Sequence, residues 1–432
     1  MSADAGTAAA GGVGGGGATR GGFEALDPCV HCGFCLQSCP TFLVTGDEAD
    51  GPRGRIELMR SLEQGRIPAN DAELALHLDR CLGCRGCEPV CPSGVGYGHG
   101  LEAARAVLAR ARGVPGIARF ALWALTAPGV APVVYALARM LRATGIPARL
   151  AGWGRIRFAL GMLAATRPVG TGRKQAEGGG TGGTASVPFP PVPSRSVLLF
   201  RGCVMNGLFS HVHAATIRTL QVNGYEVREV EGQGCCGALH AHAGLPDEAR
   251  ALARVNVDAF GGGDDPIVVN SAGCGAYMKE YGQVGERGEA VAARVKDVTE
   301  LLADRGPVAG APLDLRVAYD PPCHLLHAQR IAEPPTRLFA AVPILRLVSA
   351  PDAALCCGSA GVYTLVQPEM SRAVLAPKID SLRHAAPDVV ATGNPGCLMQ
   401  LGAGLRAARV RAVTRHPVEV LDESYRAAGL YA

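Results

Sequence analysis

Apolar residues recur at helical spacing in IELMRSLEQGR (56–66) and DAELALHLDR (71–80), and this pattern predicts two amphipathic helices near the N-terminus. Residues 113–167 are apolar and dotted with arginine. Within them, Phe120 to Ala138 runs 19 residues without a charge between Arg119 and Arg139, near the ~20 needed to span a bilayer. Pro128-Gly129 and Pro132 interrupt that stretch, so two short amphipathic helices joined at PGVAP are expected in place of a span. Peripheral attachment to the inner face of the cell membrane through this region stays open. From residue 196 the pattern changes to short β-branched runs that end in Gly/Pro turns. VLLFRG precedes Cys203, IVVNSAG precedes Cys274, LRVAYDPP precedes Cys323 and DVVATGNPG precedes Cys397. Strands feeding helices in this way predict parallel βαβ units, whose ligands gather beyond the carboxyl ends of the strands.

This region is also duplicated. Cys203, Cys235-Cys236-Gly237 and Cys274 recur as Cys323, Cys356-Cys357-Gly358 and Cys397, with gaps of 32 and 39 residues against 33 and 41. IVVNSAGCGAYM (267–278) parallels VVATGNPGCLMQ (389–400), and DVTELL (297–302) parallels PVEVLD (417–422). Units of about 120 residues are too long for solenoid repeats and read as a duplicated domain. The chain therefore divides into a disordered Gly/Ala tail (1–22), a two-cluster domain (23–112), a helical connector (113–167), a Gly/Pro linker (168–195) and two cysteine-rich copies (196–310 and 311–432). The expected fold is α+β and multidomain: a mostly helical N-terminal domain, then a duplicated α/β domain with parallel sheets.

Composition narrows the function. The 432 residues carry a net charge of +4, only 5% aromatics and no run of five like charges, which argues against nucleic-acid partners. Sixteen cysteines are the anomaly. Residues 1–22 lack the basic start and Leu-rich core of a signal peptide, so reduced thiols in a cytoplasmic protein are expected. No G-x-G-x-x-G opens a helix after a strand, and no P-loop is present.

The densest chemistry is at the front. Cys29-x2-Cys32-x2-Cys35-x3-Cys39-Pro40 recurs as Cys81-x2-Cys84-x2-Cys87-x3-Cys91-Pro92. Zinc sites pair two Cys-x2-Cys halves across a longer gap and do not use three cysteines in series before Cys-Pro. The run resembles that of bacterial two-cluster ferredoxins, in which the fourth cysteine turns away to the neighbouring cluster. The resemblance implies two [4Fe–4S] clusters, one on Cys29, Cys32, Cys35 and Cys91, the other on Cys81, Cys84, Cys87 and Cys39. His31, between two of these cysteines, reads as a surface or supporting residue, with a proton-coupled role or service as an alternative ligand as the other readings. DGPRGR (50–55) reads as a solvated loop capping a helix, with an electropositive docking patch as the alternative.

The duplicated cysteines resemble the CCG (cysteine-rich) domain of heterodisulfide reductases, anaerobic glycerol-3-phosphate dehydrogenases, lactate-utilisation proteins and glycolate oxidases. In the heterodisulfide reductase form each copy ends in Cys-x2-Cys. Here Ser271-x2-Cys274 and Asn394-x2-Cys397 lack the first member. Three readings stay open for Cys203, Cys235, Cys236, Cys274, Cys323, Cys356, Cys357 and Cys397: a further metal or cluster, redox-active thiols, or packing relics. His324, beside Cys323, is either an activator of that thiol or a structural residue after the Pro-Pro turn.

Taken together, CVHCGFC…CPT (29–41), GDEADGPRGRI (46–56), LDRCLGCRGCEPVCPSGVGY (78–97), GCCGA (234–238), SAGCGAYMKEYGQ (271–283) and LCCGSAGVYTL (355–365) look most like the iron–sulfur subunit of glycolate oxidase. That resemblance implies FAD-linked oxidase partner subunits that oxidise glycolate to glyoxylate, and electron transfer through this chain to a one-electron or quinone acceptor. Electron-transfer subunits for lactate or glycerol-3-phosphate, and thiol–disulfide catalysis at the CCG cysteines, are the alternatives.

Overall fold

The computed structural model describes residues 21–168 and 195–431. Most of the expected tail and linker lies outside the described residues. The N-terminal domain holds four helices, α1 (Pro40–Thr45), α2 (Pro52–Glu63), α3 (Ala72–Arg80) and α4 (Tyr97–Arg112). Asp71 caps α3 by accepting from the Leu74 amide at 2.8 Å. Ile56, Met59, Leu74, Leu78, Leu101 and Leu108 turn inward from these helices and bury the domain's core. The connector folds as α5 (Gly116–Thr126), α6 (Ala131–Ala143), α7 (Ile146–Leu150) and α8 (Arg155–Ala165). α5 and α6 meet at a 94° bend, and among the described residues no single helix is long and apolar enough to cross a membrane.

The remainder forms two four-stranded, all-parallel sheets of the same topology. β1 (Arg195–Leu199), β2 (Tyr225–Glu229), β3 (Ile267–Val269) and β4 (Val295–Asp297) lie in the order β2-β1-β3-β4. β5 (Arg316–Tyr319), β6 (Arg346–Leu347), β7 (Val389–Ala391) and β8 (Val413–Arg415) lie in the order β6-β5-β7-β8. Val197 pairs with Val227, and Val317 with Val389, so the β-branched runs are the sheet interiors. The strand order reverses between β1 and β3, and between β5 and β7. Cys203 and Cys274 follow the first pair, and Cys323 and Cys397 the second, which puts them at the switch point where a parallel sheet opens a crevice.

The two copies share a hydrophobic core in which Val197, Leu199 and Val212 pack with Leu338, Leu398, Val418 and Tyr425. His416 closes the joint between them. Its Nδ1 accepts from the Val418 amide at 3.2 Å and caps the helix Pro417–Ala427, while its Nε2–H donates to Asn270 O at 3.1 Å. Both bonds need a neutral ring, and burial holds the imidazole down at about 3. Because the folded value lies below the unfolded ~6.5, His416 stabilises the fold above that pH and loses its contribution as pH falls, at ~1.4 kcal/mol per unit. His416→Asn keeps a capping oxygen without a titrating ring. Chemical denaturation between pH 7 and 5.5 should therefore cost wild type about 1 kcal/mol more than the variant; equal pH slopes would refute the assignment.

Candidate metal centres

The N-terminal cysteines fall into two groups. Cys29, Cys32, Cys35 and Cys91 line one small cavity, with Cys87 at its inner wall. Burial, with Cys29, Cys32 and Cys91 as close neighbours, pushes the Cys35 thiol up to about 11. Burial likewise raises Cys39, which has Cys81 and Cys84 beside it, and Cys87, which faces Cys84, Cys81 and Cys39. Each group is thus four thiols crowded in partly dry surroundings, and His31 lines the cavity of the first group beside them. Such a donor set fits an iron–sulfur cluster, whose irons compensate the thiolate charge. Cys32 is exposed whereas Cys39, Cys81 and Cys87 are buried, so the first group faces solvent and the second faces inward.

DGPRGR corrects the sequence reading: Asp50 and Arg55 are both fully buried and form neither a solvated loop nor a docking patch. Arg55 donates to Asp50 Oδ1 (3.2 Å), Thr41 Oγ1 (2.9 Å) and the His77 carbonyl (2.7 Å), and its Nη1 lies 3.9 Å from Cys39 Sγ. Burial works against the guanidinium, but Cys81, Tyr97, Cys39 and Asp50 outweigh it and hold its pKa above the ordinary value. Asp50 also accepts from Arg80 at 2.9 Å and contacts His77 Nδ1 at 3.0 Å. The buried cation therefore serves the second cysteine group. Arg53, by contrast, is half-buried and pairs with Glu48 at 2.5 Å, while His31 Nε2 contacts Arg60 at 2.9 Å.

All eight cysteines of the duplicated region line a single cavity of about 580 Å³, which Cys81 and Leu82 reach from the N-terminal domain. In the first copy Cys203 Sγ lies 3.5 Å from Cys235 Sγ, and Cys236 Sγ 3.2 Å from Cys274 Sγ. In the second, Cys357 Sγ lies 3.3 Å from Cys397 Sγ. These spacings are contacts between free thiols, and no cysteine is disulfide-bonded. The glycine of each Cys-Cys-Gly is required by shape. Gly237 has φ +97° and a Cβ there would meet Ala249 O at 2.7 Å; Gly358 has φ +82° and would meet Ser371 O at 2.5 Å. With these turns closed, the Gly237 and Gly358 amides each donate to the first cysteine sulfur of their pair at 3.5 Å.

The residues that replace the missing cysteines have their own work. Asn394 Oδ1 accepts from the Gly273 amide at 3.2 Å and lies 3.5 Å from Ser271 Oγ, so the two positions bridge the copies. Its Nδ2 donates to Cys397 Sγ at 3.6 Å. His324 Nδ1 lies 3.5 Å from Cys323 Sγ, with its ring 5.2 Å from that of His242. Burial, then His242, pushes His324 down to about 3, so at neutral pH the ring carries no charge to activate the thiol. The contact that sequence could not reveal joins the two halves. A hydrogen bond from Cys356 lowers the pKa of Cys84, and Tyr363 Oη donates to Arg80 O at 2.7 Å.

A domain of two four-thiol groups docked on two CCG sites defines an iron–sulfur protein with tandem cysteine-rich domains. Family comparison agrees: residues 25–95 match the 4Fe-4S dicluster domain, and residues 197–279 and 317–402 match the cysteine-rich domain. The chain is 33% identical to the glycolate oxidase iron-sulfur subunit of Escherichia coli (strain K12), over 92% of this chain and 94% of that protein. It is 32% identical to the probable glycolate oxidase iron-sulfur subunit of Bacillus subtilis (strain 168), over 92% and 93%. Lactate utilization protein A of Geobacillus thermodenitrificans (strain NG80-2) is 30% identical over 52% of this chain. The chain belongs to the family of glycolate oxidase iron–sulfur subunits.

Proposed function

We propose that this chain is the electron-transfer subunit of a glycolate-oxidising complex that works on the cytoplasmic side. In this reading FAD-bearing partner subunits oxidise glycolate to glyoxylate, and the electrons leave through this chain to a one-electron or quinone acceptor. The observation that carries it is the pair of four-thiol groups, one at the surface and one against Cys356, in a chain matched along its length by glycolate oxidase iron–sulfur subunits. Cys29, Cys32, Cys35 and Cys91 would hold one [4Fe–4S] cluster, and Cys81, Cys84, Cys87 and Cys39 the other. Cubane clusters supply one-electron carriers, which suits them to follow a flavin that releases electrons in pairs.

The chain's own residues tune and insulate. Arg55 sets a buried positive charge beside Cys39, and the Gly83 amide donates to Cys81 Sγ at 3.4 Å. Both favour added negative charge and so raise the reduction potential at the second group. Exposure of Cys32 suits the first group to receive electrons from a docked partner. Cys203, Cys235, Cys236, Cys274, Cys323, Cys356, Cys357 and Cys397 are candidate ligands for a further metal or cluster, four thiols to each copy.

The test is iron and acid-labile sulfide analysis with paramagnetic resonance on anaerobic full-length protein, alone and co-purified with its flavin subunits. About eight irons per chain, reduced by glycolate in the complex, are expected. Iron beyond eight that Cys236→Ala with Cys357→Ala removes would assign a cluster to the CCG copies. Reduction by lactate or glycerol-3-phosphate but not glycolate would move the substrate, and protein without reducible iron would refute the reading.

A further inference from the structure

The cavity that holds the eight CCG cysteines has a second kind of wall. Leu108 of α4, Ile117, Ala121 and Leu125 of α5, Met162 of α8 and Val366 of the second copy line it with hydrocarbon. Protein interiors are close-packed, with few voids larger than a water molecule. Here about 580 Å³ stays open, within the ~300–1,000 Å³ of small-molecule sites. Cys81, a proposed ligand of the inner cluster, lines the same space. An apolar chamber thus adjoins both the CCG thiols and the inner cysteine group.

Charge narrows what the chamber can take. Arg112 pairs with Asp79 at 2.7 Å, Arg201 with Glu229, and His242 with Glu102 at 3.1 Å. Arg105 donates to the carbonyls of His242 (3.0 Å), Leu78 (3.2 Å) and Cys81 (2.6 Å). The charges of the lining are therefore engaged by the protein itself, and an anion such as glycolate would enter without a counter-charge of its own. Thr364 and Gln367 also line the cavity, and their side chains have no hydrogen-bond partner among the described residues. Apolar walls, two free neutral donors and redox-active groups alongside suit an uncharged, lipophilic carbonyl compound that accepts electrons. We propose, resting on the electron-transfer reading, that this cavity binds a lipophilic quinone, with Thr364 and Gln367 donating to its carbonyls. Its reduction takes the two electrons that oxidation of glycolate to glyoxylate releases, together with two protons from water, and converts quinone to quinol.

Decylubiquinone is the probe, because its ring is fully substituted and does not alkylate thiols. Ultrafiltration with anaerobic full-length protein should show saturable binding with a Kd of about 1–10 μM. Ala121→Trp, which fills the chamber, should weaken binding at least about tenfold. Gln367→Leu keeps the volume but removes a donor, and should weaken binding about three- to tenfold. Iron content and thermal unfolding check that both variants fold, and Gln367→Leu carries the test if Ala121→Trp does not. Binding needs neither flavin subunits nor glycolate, so its failure is separate from failure of the electron-transfer reading. After reduction by dithionite, decylubiquinone should reoxidise wild type faster than Ala121→Trp, whereas ferricyanide, which has no need of the chamber, should reoxidise both alike. Oxidised glutathione, a charged disulfide, should not displace the quinone. Absence of saturable binding, binding by both variants as tight as by wild type, or displacement by oxidised glutathione would overturn the proposal.

Discussion

Cys84→Ala should remove about four irons per chain from anaerobically purified protein while leaving the other cluster reducible. The effect is large because Cys84 is a proposed ligand of the inner cluster, and losing one thiolate corner leaves a cubane open to loss. Its sulfur contacts Cys356, so the inner group is the point where the dicluster domain meets the CCG cavity. In the proposed complex, glycolate-dependent reduction of a small dye that accepts from the flavin should be preserved. Reduction of the terminal acceptor should fall by about two orders of magnitude or more, since the route through this chain is broken. Cys32→Ala is the comparison: it should also cost about four irons, but from the outer, solvent-facing group. Paramagnetic resonance of the two variants should show complementary signals. Retention of full iron by Cys84→Ala, or loss of both clusters from both variants, would contradict the two-group assignment.

What the sequence made legible was set by short-range covalent spacing. Three cysteines in series before Cys-Pro carry the resemblance to two-cluster ferredoxins, and β-branched runs ahead of Gly/Pro turns fix strands whose ends carry Cys203, Cys274, Cys323 and Cys397. The break at PGVAP was equally local, and the helices do end and restart across it. What stayed hidden depends on contacts made only after folding. Cys84 and Cys356 are 272 positions apart in the chain, and nothing in either motif announces the other. The joint at His416 and Asn270, and the bridge of Ser271 and Asn394, pair side chains from different copies. A lost cysteine is visible as an absence in a pattern, but the hydrogen bond that takes its place is not. Charge was the most misleading feature: Asp50 and Arg55 of the polar run DGPRGR lie at the heart of the N-terminal domain.

That segment yields the largest expected effect on stability. Arg55→Ala should destabilise the dicluster domain by about 3–5 kcal/mol, the range found when one partner of a buried ion pair is removed. The cost arises from what remains. Asp50 stays buried with Arg80 and His77 as its other partners, Thr41 Oγ1 loses a donor, and the His77 carbonyl loses the bond that satisfied it. A void the size of a guanidinium also opens beneath Cys39, in a region that packs Ile56, Met59 and Leu78. Arg55→Lys should recover little, because an ammonium cannot fork to Asp50, Thr41 and the His77 carbonyl in one plane. Chemical denaturation followed by circular dichroism would read the stability change, and the rate of iron loss to a chelator would read its effect on the cluster proposed at Cys39, Cys81, Cys84 and Cys87. Removing the positive charge should also lower the reduction potential of that cluster relative to the outer one, a shift that a purely structural role would not produce. If Arg55→Ala unfolds like wild type and holds its iron as long, the buried network is dispensable and the inner cage is held by its thiolates alone.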